Sequence, residues 1–336
     1  MVSVSSDLGA VAGWIAGLPR HLPRLPALTG PPEASQVINK EDLEELSPPP
    51  VHLDPQDELF LEKILYPCGL RRDFHSVLTT PRSVFGDLPR PTKSRVFLDL
   101  DTRQLIDISW HIELFHRQIY DQGSLSFVSA NALLQRERYI DHTDPKGIIP
   151  LRADKWKFQK VGGPQSFDKG YVYDWNIQPE VTYMISINSL TPHQQRKAMT
   201  NPTLLAESHG LCPYLTIEYA KACKHEDAMR RIATASMVWL NQRRSIRKRA
   251  GSEVYTDLKH YAFTVSAVDA VVWEMVCTDA DADGDGDGYV LRELGVCSLT
   301  NYIGLDRFVK WSNAVHAWGL GPYAEGFVED VERYVA

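Results

Sequence analysis

The sequence predicts a mixed α/β or α+β domain, in which helices flank a β-sheet. Two observations carry this prediction. Along residues 100–336 the order is helix, strands, helix, strands, helix, and no internal repeat is visible. Residues 226–251 place apolar side chains on one helical face and end at Gly251, whereas β-forming residues fill 179–189 and 260–277.

The N-terminal segment is rich in proline. Residues 18–35 and 47–55 carry most of these prolines and are expected to be extended or poorly ordered, because proline lacks a backbone donor and blocks helix interiors. Short helices are predicted over 7–17 and 55–67.

The first long helix is predicted over residues 100–120, with a cap near Asp101 or Thr102. Apolar residues recur along it with helical spacing: Leu105, Ile108, Ile112, Phe115 and Ile119. This stripe is typical of a helix that packs one face on a core.

Strands predominate from about residue 125, in segments broken by glycine and proline. Before the long helix, strands are predicted at 154–163, 170–178, 179–189 and 214–219, with a short helix or loop at 191–199. After it come two strands joined by a turn at 260–277, a strand at 289–294, a helix from 305 to Gly319 and a last helix at 323–335.

Composition excludes several classes of protein. The chain is 43% apolar and 24% charged, as in ordinary globular proteins, and its net charge of −7 argues against wholesale coating of nucleic acid. Five scattered cysteines without a CxxC motif favour a reducing, intracellular compartment, either cytoplasm or nucleus. The sequence shows no membrane-spanning run, basic leader, GxSxG, P-loop or GxGxxG motif.

A carboxylate lies inside a strand that otherwise reads as core. In residues 214–220, alternation puts Tyr214, Thr216, Glu218 and Ala220 on one face. An unpaired buried carboxylate is costly. Glu218 is therefore expected to lie at the end of the sheet in water, to pair with a basic side chain, or to bind a metal. Glu180 opens another strand directly after Pro179. Two carboxylates at the ends of neighbouring strands suit a divalent ion.

These segments resemble a known family. "QPEVTYMISI", "CPYLTIEYAK" and the helix 226–249, together with "VSANALLQ", "HYAFTVSAVDAVVWEM" and the tryptophan-bearing helix 305–319, resemble the PD-(D/E)XK nuclease-like domain of filamentous fungi. The resemblance implies a restriction-endonuclease-like fold, a mixed central sheet flanked by helices, over residues 56–336 behind a flexible arm 1–55. It also implies a hydrolase that cleaves phosphodiester bonds of nucleic acid with Mg²⁺ or Mn²⁺.

In that family the acidic residue after proline and the E-x-K of the next strand bind the metal and activate water. Carried over, the resemblance assigns these roles to Glu180, which stands where the family usually has Asp, and to Glu218. The motif lysine falls on Ala220; Lys221 is one position further and acts only if a bulge re-aims it. Asp174 is a further candidate metal ligand.

The departed motif leaves three alternatives open. The chain could be a repurposed enzyme that acts on a small molecule, for example in fungal secondary metabolism, or a catalytically inactive binding module. In the simplest alternative, Glu218 and Lys221 are strand-end charges in solvent.

Three other segments carry charged or metal-ligating side chains. Five basic residues near the end of the long helix could grip phosphates or simply complement the helix dipole: Arg243, Arg244, Arg247, Lys248 and Arg249. The aspartate-rich residues 279–290 miss the final acidic ligand of an EF-hand and are predicted to be a hairpin loop. Of His111, Glu113 and His116, only the last two share a helix face, which is weak evidence for a metal.

Overall fold

The structure, a computed structural model, describes residues 51–53, 58–67, 69–73, 79–90, 96–117, 151–154, 173–174, 179–186, 191–193, 195, 210–220, 225–252, 254–255, 257–278 and 288–335. The predicted helix at 7–17, the segment 128–135, Lys221 and the acidic loop 279–287 lie outside these ranges.

A seven-stranded mixed sheet forms the centre of the described chain. In chain order the strands are β1 (Val51–His52), β2 (Leu70–Asp73), β3 (Leu151–Asp154), β4 (Tyr173–Asp174), β5 (Val181–Ser186), β6 (Gly210–Tyr219), β7 (Lys259–Val265), β8 (Asp269–Thr278) and β9 (Gly288–Ser298). The spatial order of the sheet is β2-β9-β8-β7-β6-β5-β3, and β1 pairs separately with β4.

The sheet combines both strand orientations. The pairs β2–β9 and β6–β7 are parallel, and the other neighbours are antiparallel. The parallel β6–β7 pair requires a crossover, and the long helix supplies it, as expected for parallel neighbours. The predicted α/β class with a mixed sheet is therefore confirmed.

Helices account for the remaining regular structure. They are α1 (Glu58–Phe60), which continues as a π-helical turn (Leu61–Leu65), α2 (Pro81–Phe85), α3 (Thr102–Arg117), α4 (His225–Arg249), α5 (Tyr302–Trp318) and α6 (Ala324–Val335), with a second π-helical turn (Gly319–Tyr323) between the last two. None of those in the described ranges combines the length and hydropathy needed to cross a membrane.

The cap of α3 is the one that the sequence predicts. Asp101 Oδ1 accepts a hydrogen bond from the Gln104 amide at 2.8 Å, and the Gln104 side chain accepts one from the Asp101 amide at 2.9 Å. This reciprocal capping box satisfies two donors that the helix itself leaves open.

Two hydrophobic cores lie on opposite faces of the sheet. Phe263 of β7 packs edge-to-face against Phe308 of α5, with 5.4 Å between ring centres, in a core that also includes α6. The next residue back on β7, Ala262, belongs to the other core, with Met229 and Trp239 of α4. Because both faces are covered, the central strands are apolar almost throughout.

Most predicted elements of the C-terminal half are confirmed, and three strands of the N-terminal half were missed. Residues 260–277 form the β7–β8 hairpin, and β9 extends four residues past its predicted end, from 294 to Ser298. The missed strands are β1, within a segment predicted to be a proline-rich linker, β2, whose sequence Leu70–Asp73 is mostly charged, and β3, which shares only Asp154 with the predicted strand 154–163.

Candidate functional site

Glu218 lies near the carboxyl end of β6, between β5 and β7. Its neighbours Ile217 and Tyr219 point into the core beneath α5, so Glu218 points to the opposite face, toward α4. The residue is 2% exposed. A carboxylate at this depth needs partners to replace the water that it has lost.

Two groups hold the carboxylate of Glu218. The Nε of Arg231, in the second turn of α4, lies 3.0 Å from Glu218 Oε2. The backbone amide of Glu180 donates to Glu218 Oε1 at 3.3 Å. The charge inside the strand is therefore paired with a cation from the covering helix, and both carboxylate oxygens are engaged.

Burial strongly perturbs the acid. It raises the pKa of Glu218 from 4.5 to about 8, with the negative charge of Glu180 acting in the same direction and the Arg231 guanidinium opposing them. Burial thus works against the charged form of Glu218, and the ion pair with Arg231 works in its favour.

Glu180 directly precedes β5, and the antiparallel ladder brings it beside Glu218. Val181 pairs with Ile217. Glu180, one residue before Val181, therefore lies opposite Glu218, one residue after Ile217. The backbone of Glu180 thus lies beside the Glu218 carboxylate, and the role of the two acids as a metal-binding pair stays a prediction. Unlike Glu218, Glu180 is exposed to solvent.

The other predicted site residues are placed less directly. Lys221 lies outside the described residues. Asp174 belongs to β4, whose partner is β1 rather than a strand of the seven-stranded sheet. The structure thus brings Glu180 and Glu218 together, and the assignments of Lys221 and Asp174 stay predictions.

A bulge corrects the predicted facing of Tyr214. The β5–β6 ladder passes from Leu215 to Pro213 and leaves Tyr214 without a register partner. Tyr214 therefore turns to the α5 side, where its hydroxyl bonds His316 Nδ1 at 3.0 Å, and it does not share a face with Glu218. Proline inside the strand was the available signal for this irregularity.

A second polar group near Glu218 was missed in the sequence. Thr264 of β7 is the register partner of Glu218, and its hydroxyl bonds His225 Nδ1 at 2.9 Å. The other ring nitrogen of His225 lies 2.7 Å from Asp269 Oδ1, and Trp273 Nε1 donates to the Thr264 hydroxyl. These contacts tie the start of α4 to β7 and β8, through partners 39 and 44 residues away in sequence.

The donor chemistry at this site fits a hard divalent ion, with one condition. Mg²⁺ is commonly bound by one or two carboxylates and keeps several waters, and Glu180 and Glu218 supply that number. An ion bound to Glu218 Oε2 would take the position that the Arg231 guanidinium now holds. Within the described ranges, no group of three or more His, Cys, Asp or Glu side chains is arranged around a metal position.

Two members of the predicted basic segment pair within the protein. Arg243 is buried, and its Nη2 lies 2.5 Å from Asp330 Oδ2 of α6. Arg247 bonds the same carboxylate at 3.2 Å and also pairs with Asp257. Arg243 is therefore not part of an exposed phosphate-binding surface, which corrects the prediction for that residue.

The other three members lie nearer the surface. Arg244 is half-buried over the ring of Tyr255, with 4.6 Å between the guanidinium carbon and the ring centre. Lys248 and Arg249 are exposed in the last turn of α4. These residues retain the charge that a nucleic-acid backbone would meet.

The remaining candidates have local roles. Glu113 of α3 pairs with Arg117 at 2.6 Å, and His111 bonds the carbonyl of Asp107. Among the described residues, Cys212, Cys277 and Cys297 are buried free thiols. No protein-family model matches the chain, and no curated protein matches it in sequence.

Proposed function

We propose that the chain is a PD-(D/E)XK-like protein of restriction-endonuclease-like fold that hydrolyses phosphodiester bonds in nucleic acid with Mg²⁺ or Mn²⁺. One observation carries the proposal: Glu180 and Glu218 meet at the shared end of two adjacent strands, beside a cation. The mixed sheet with helices on both faces supports it. The division into an arm, 1–55, and a catalytic domain, 56–336, belongs to the same proposal.

Each residue has a distinct part in this mechanism. Glu218 and Glu180 would hold the ion, which in such sites lowers the pKa of a bound water and neutralises charge on the phosphodiester. Glu218 is fixed by the ladders on both sides of β6, whereas Glu180 presents its carboxylate to solvent. Lys221 would stabilise the charge that develops on the phosphate, if a bulge after β6 turns it inward.

The surface of α4 could guide the substrate. Lys248 follows Arg231 by seventeen residues on one continuous helix, which places it about 25 Å along the axis at 1.5 Å per residue. Exposed Lys248 and Arg249 would then contact a phosphate backbone well away from the scissile bond. A local basic patch is compatible with the acidic net charge, because screening limits long-range repulsion at physiological salt.

Cleavage assays with defined substrates test the proposal. The protein is incubated with single- and double-stranded DNA and RNA in Mn²⁺, alongside Glu218→Ala and the control Glu325→Ala, which changes an exposed acid on α6. The wild type and the control should cleave at least one substrate. Glu218→Ala should be slower by at least about 100-fold, since loss of even an outer-shell partner costs about 10- to 100-fold. Absence of cleavage, or equal rates for Glu218→Ala, would reject nuclease activity.

A second candidate, a catalytically inactive binding module, rests on the pairing of Glu218. Both of its oxygens are already engaged by Arg231 and the Glu180 amide. This alternative predicts that Mn²⁺ leaves the thermal unfolding temperature unchanged, and that Glu180→Gln alters neither stability nor nucleic-acid binding. The small-molecule enzyme stays an expectation from the sequence.

A further inference from the structure

We infer that Arg231 is a built-in counter-cation, which occupies the ion-binding carboxylate of Glu218 when no metal is bound and must leave before a divalent ion can enter. The identity of that ion rests on the proposed function. The exchange itself concerns two side chains that the structure describes. Arg231 would thereby set the affinity of the site for metal.

The contacts around Glu218 favour an exchange of cations over a simple addition. At 2% exposure the carboxylate has no room for hydration, and Oε2 is held by the Arg231 Nε at 3.0 Å. A divalent ion on the same oxygen would face the guanidinium at short range, and like charges at that distance repel strongly outside bulk water. One cation therefore replaces the other.

The two side chains of this ion pair differ in exposure. The side chain of Arg231 is 26% exposed while that of Glu218 is 2% exposed, so part of the Arg231 side chain already borders solvent. The ion pair between Arg243 and Asp330 provides the contrast, because those side chains are 2% and 5% exposed. The first pair has one partner at the surface, as an exchangeable cation needs, and the second is sealed from both sides.

The motif position two residues after Glu218 carries no charge, so the cation near this acid comes from another part of the fold. Ala220 stands two residues after Glu218, where the resemblance expects a lysine, and it is buried. The charge of the buried acid is instead balanced from α4, by Arg231. The strand thus supplies the acid of the site, and the helix supplies the cation that faces it.

Metal affinity is the direct test. Dissociation constants for Mn²⁺ are measured by titration calorimetry and electron paramagnetic resonance for the wild type, Arg231→Gln, Arg231→Lys and the double variant Glu218→Gln/Arg231→Gln. Arg333→Gln serves as the control, since it removes one exposed arginine from α6. Arg231→Gln should bind at least about tenfold more tightly, because an adjacent opposite charge is worth one or more pKa units on a carboxyl group. Arg231→Lys should fall between the two, and the control should match the wild type.

Two results would overturn the inference: equal or weaker binding by Arg231→Gln, or a gain that persists in the double variant. If Arg231→Gln does not fold, an NMR measurement on the wild-type protein tests the inference. The NMR signal of the Arg231 Nε–H, assigned by its absence in Arg231→Lys, should shift and lose protection from exchange as Mg²⁺ is added, and a constant signal at saturation would contradict the exchange. If no variant cleaves nucleic acid, the proposed hydrolase function is rejected. The metal-binding measurements then still test the inference about Arg231.

Discussion

Replacement of Glu218 by glutamine should flatten the pH dependence of stability. Glutamine can still accept from the Glu180 amide, but it does not titrate. In the folded protein the pKa of Glu218 is raised to about 8 from its ordinary 4.5, chiefly by burial. The folded state therefore keeps the proton over a range in which the unfolded chain has already lost it.

The sign and size of the effect follow from this difference. Because the folded pKa is the higher one, the stability contributed by Glu218 is greatest below pH 4.5 and is lost as the pH rises toward 8. The two values are about 3.5 pH units apart, which corresponds to about 5 kcal/mol in total at 1.36 kcal/mol per unit. Between pH 6 and pH 9 the loss is about 2 to 3 kcal/mol.

Urea unfolding at pH 6, 7.5 and 9, with a chelator present, measures this contribution through tryptophan fluorescence. The free energy of unfolding of the wild type should fall by about 2 to 3 kcal/mol relative to Glu218→Gln across this range. The control, Glu325→Gln, removes an exposed acid on α6 and should follow the wild type. A constant difference between wild type and Glu218→Gln, or wild-type stability that grows relative to it, would refute the buried and perturbed state of Glu218.

Two further predictions concern packing. Asp330→Asn should lower the free energy of unfolding by about 3–5 kcal/mol in urea titrations, because it leaves Arg243 buried without its anion; a loss under 1 kcal/mol would contradict that pairing. Gly319→Ala should cost about 1–3 kcal/mol in the same assay, since its Cβ would lie 2.2 Å from the Tyr214 ring. The matched change Gly326→Ala, with no atom nearer than 3.9 Å, should be neutral or stabilise α6 by up to about 1 kcal/mol, and equal losses would argue against the close contact at Gly319.

Elements defined by local signals were predictable from sequence. The cap at Asp101, the apolar face of α4 and the β7–β8 hairpin each depend on residues that are close together in sequence. By contrast, β2 gains its strand conformation from β9, since Leu70 pairs with Tyr289 more than two hundred residues later. No local pattern marks such a strand, because its stability comes from a partner that is distant in sequence.

The candidate site shows the same division. Alternation along β6 and the position of Glu180 after Pro179 were enough to place these two residues at the ends of neighbouring strands. The partner of Glu218 was not predictable, because Arg231 reaches it across the layer between helix and strand. In the sequence the nearer cation is Lys221, three residues after Glu218.

Electrostatics explains why sequence alone could not separate a metal site from a salt bridge. A carboxylate buried in a central strand needs positive charge, and a divalent ion or a guanidinium can supply it. The distinction lies in which partner can reach water. Asp330 has both of its arginines largely buried, whereas Glu218 has a partner with a quarter of its side chain exposed. That difference in exposure makes the Glu218 pair the one suited to cation exchange and the Asp330 pairs suited to holding α4 against α6.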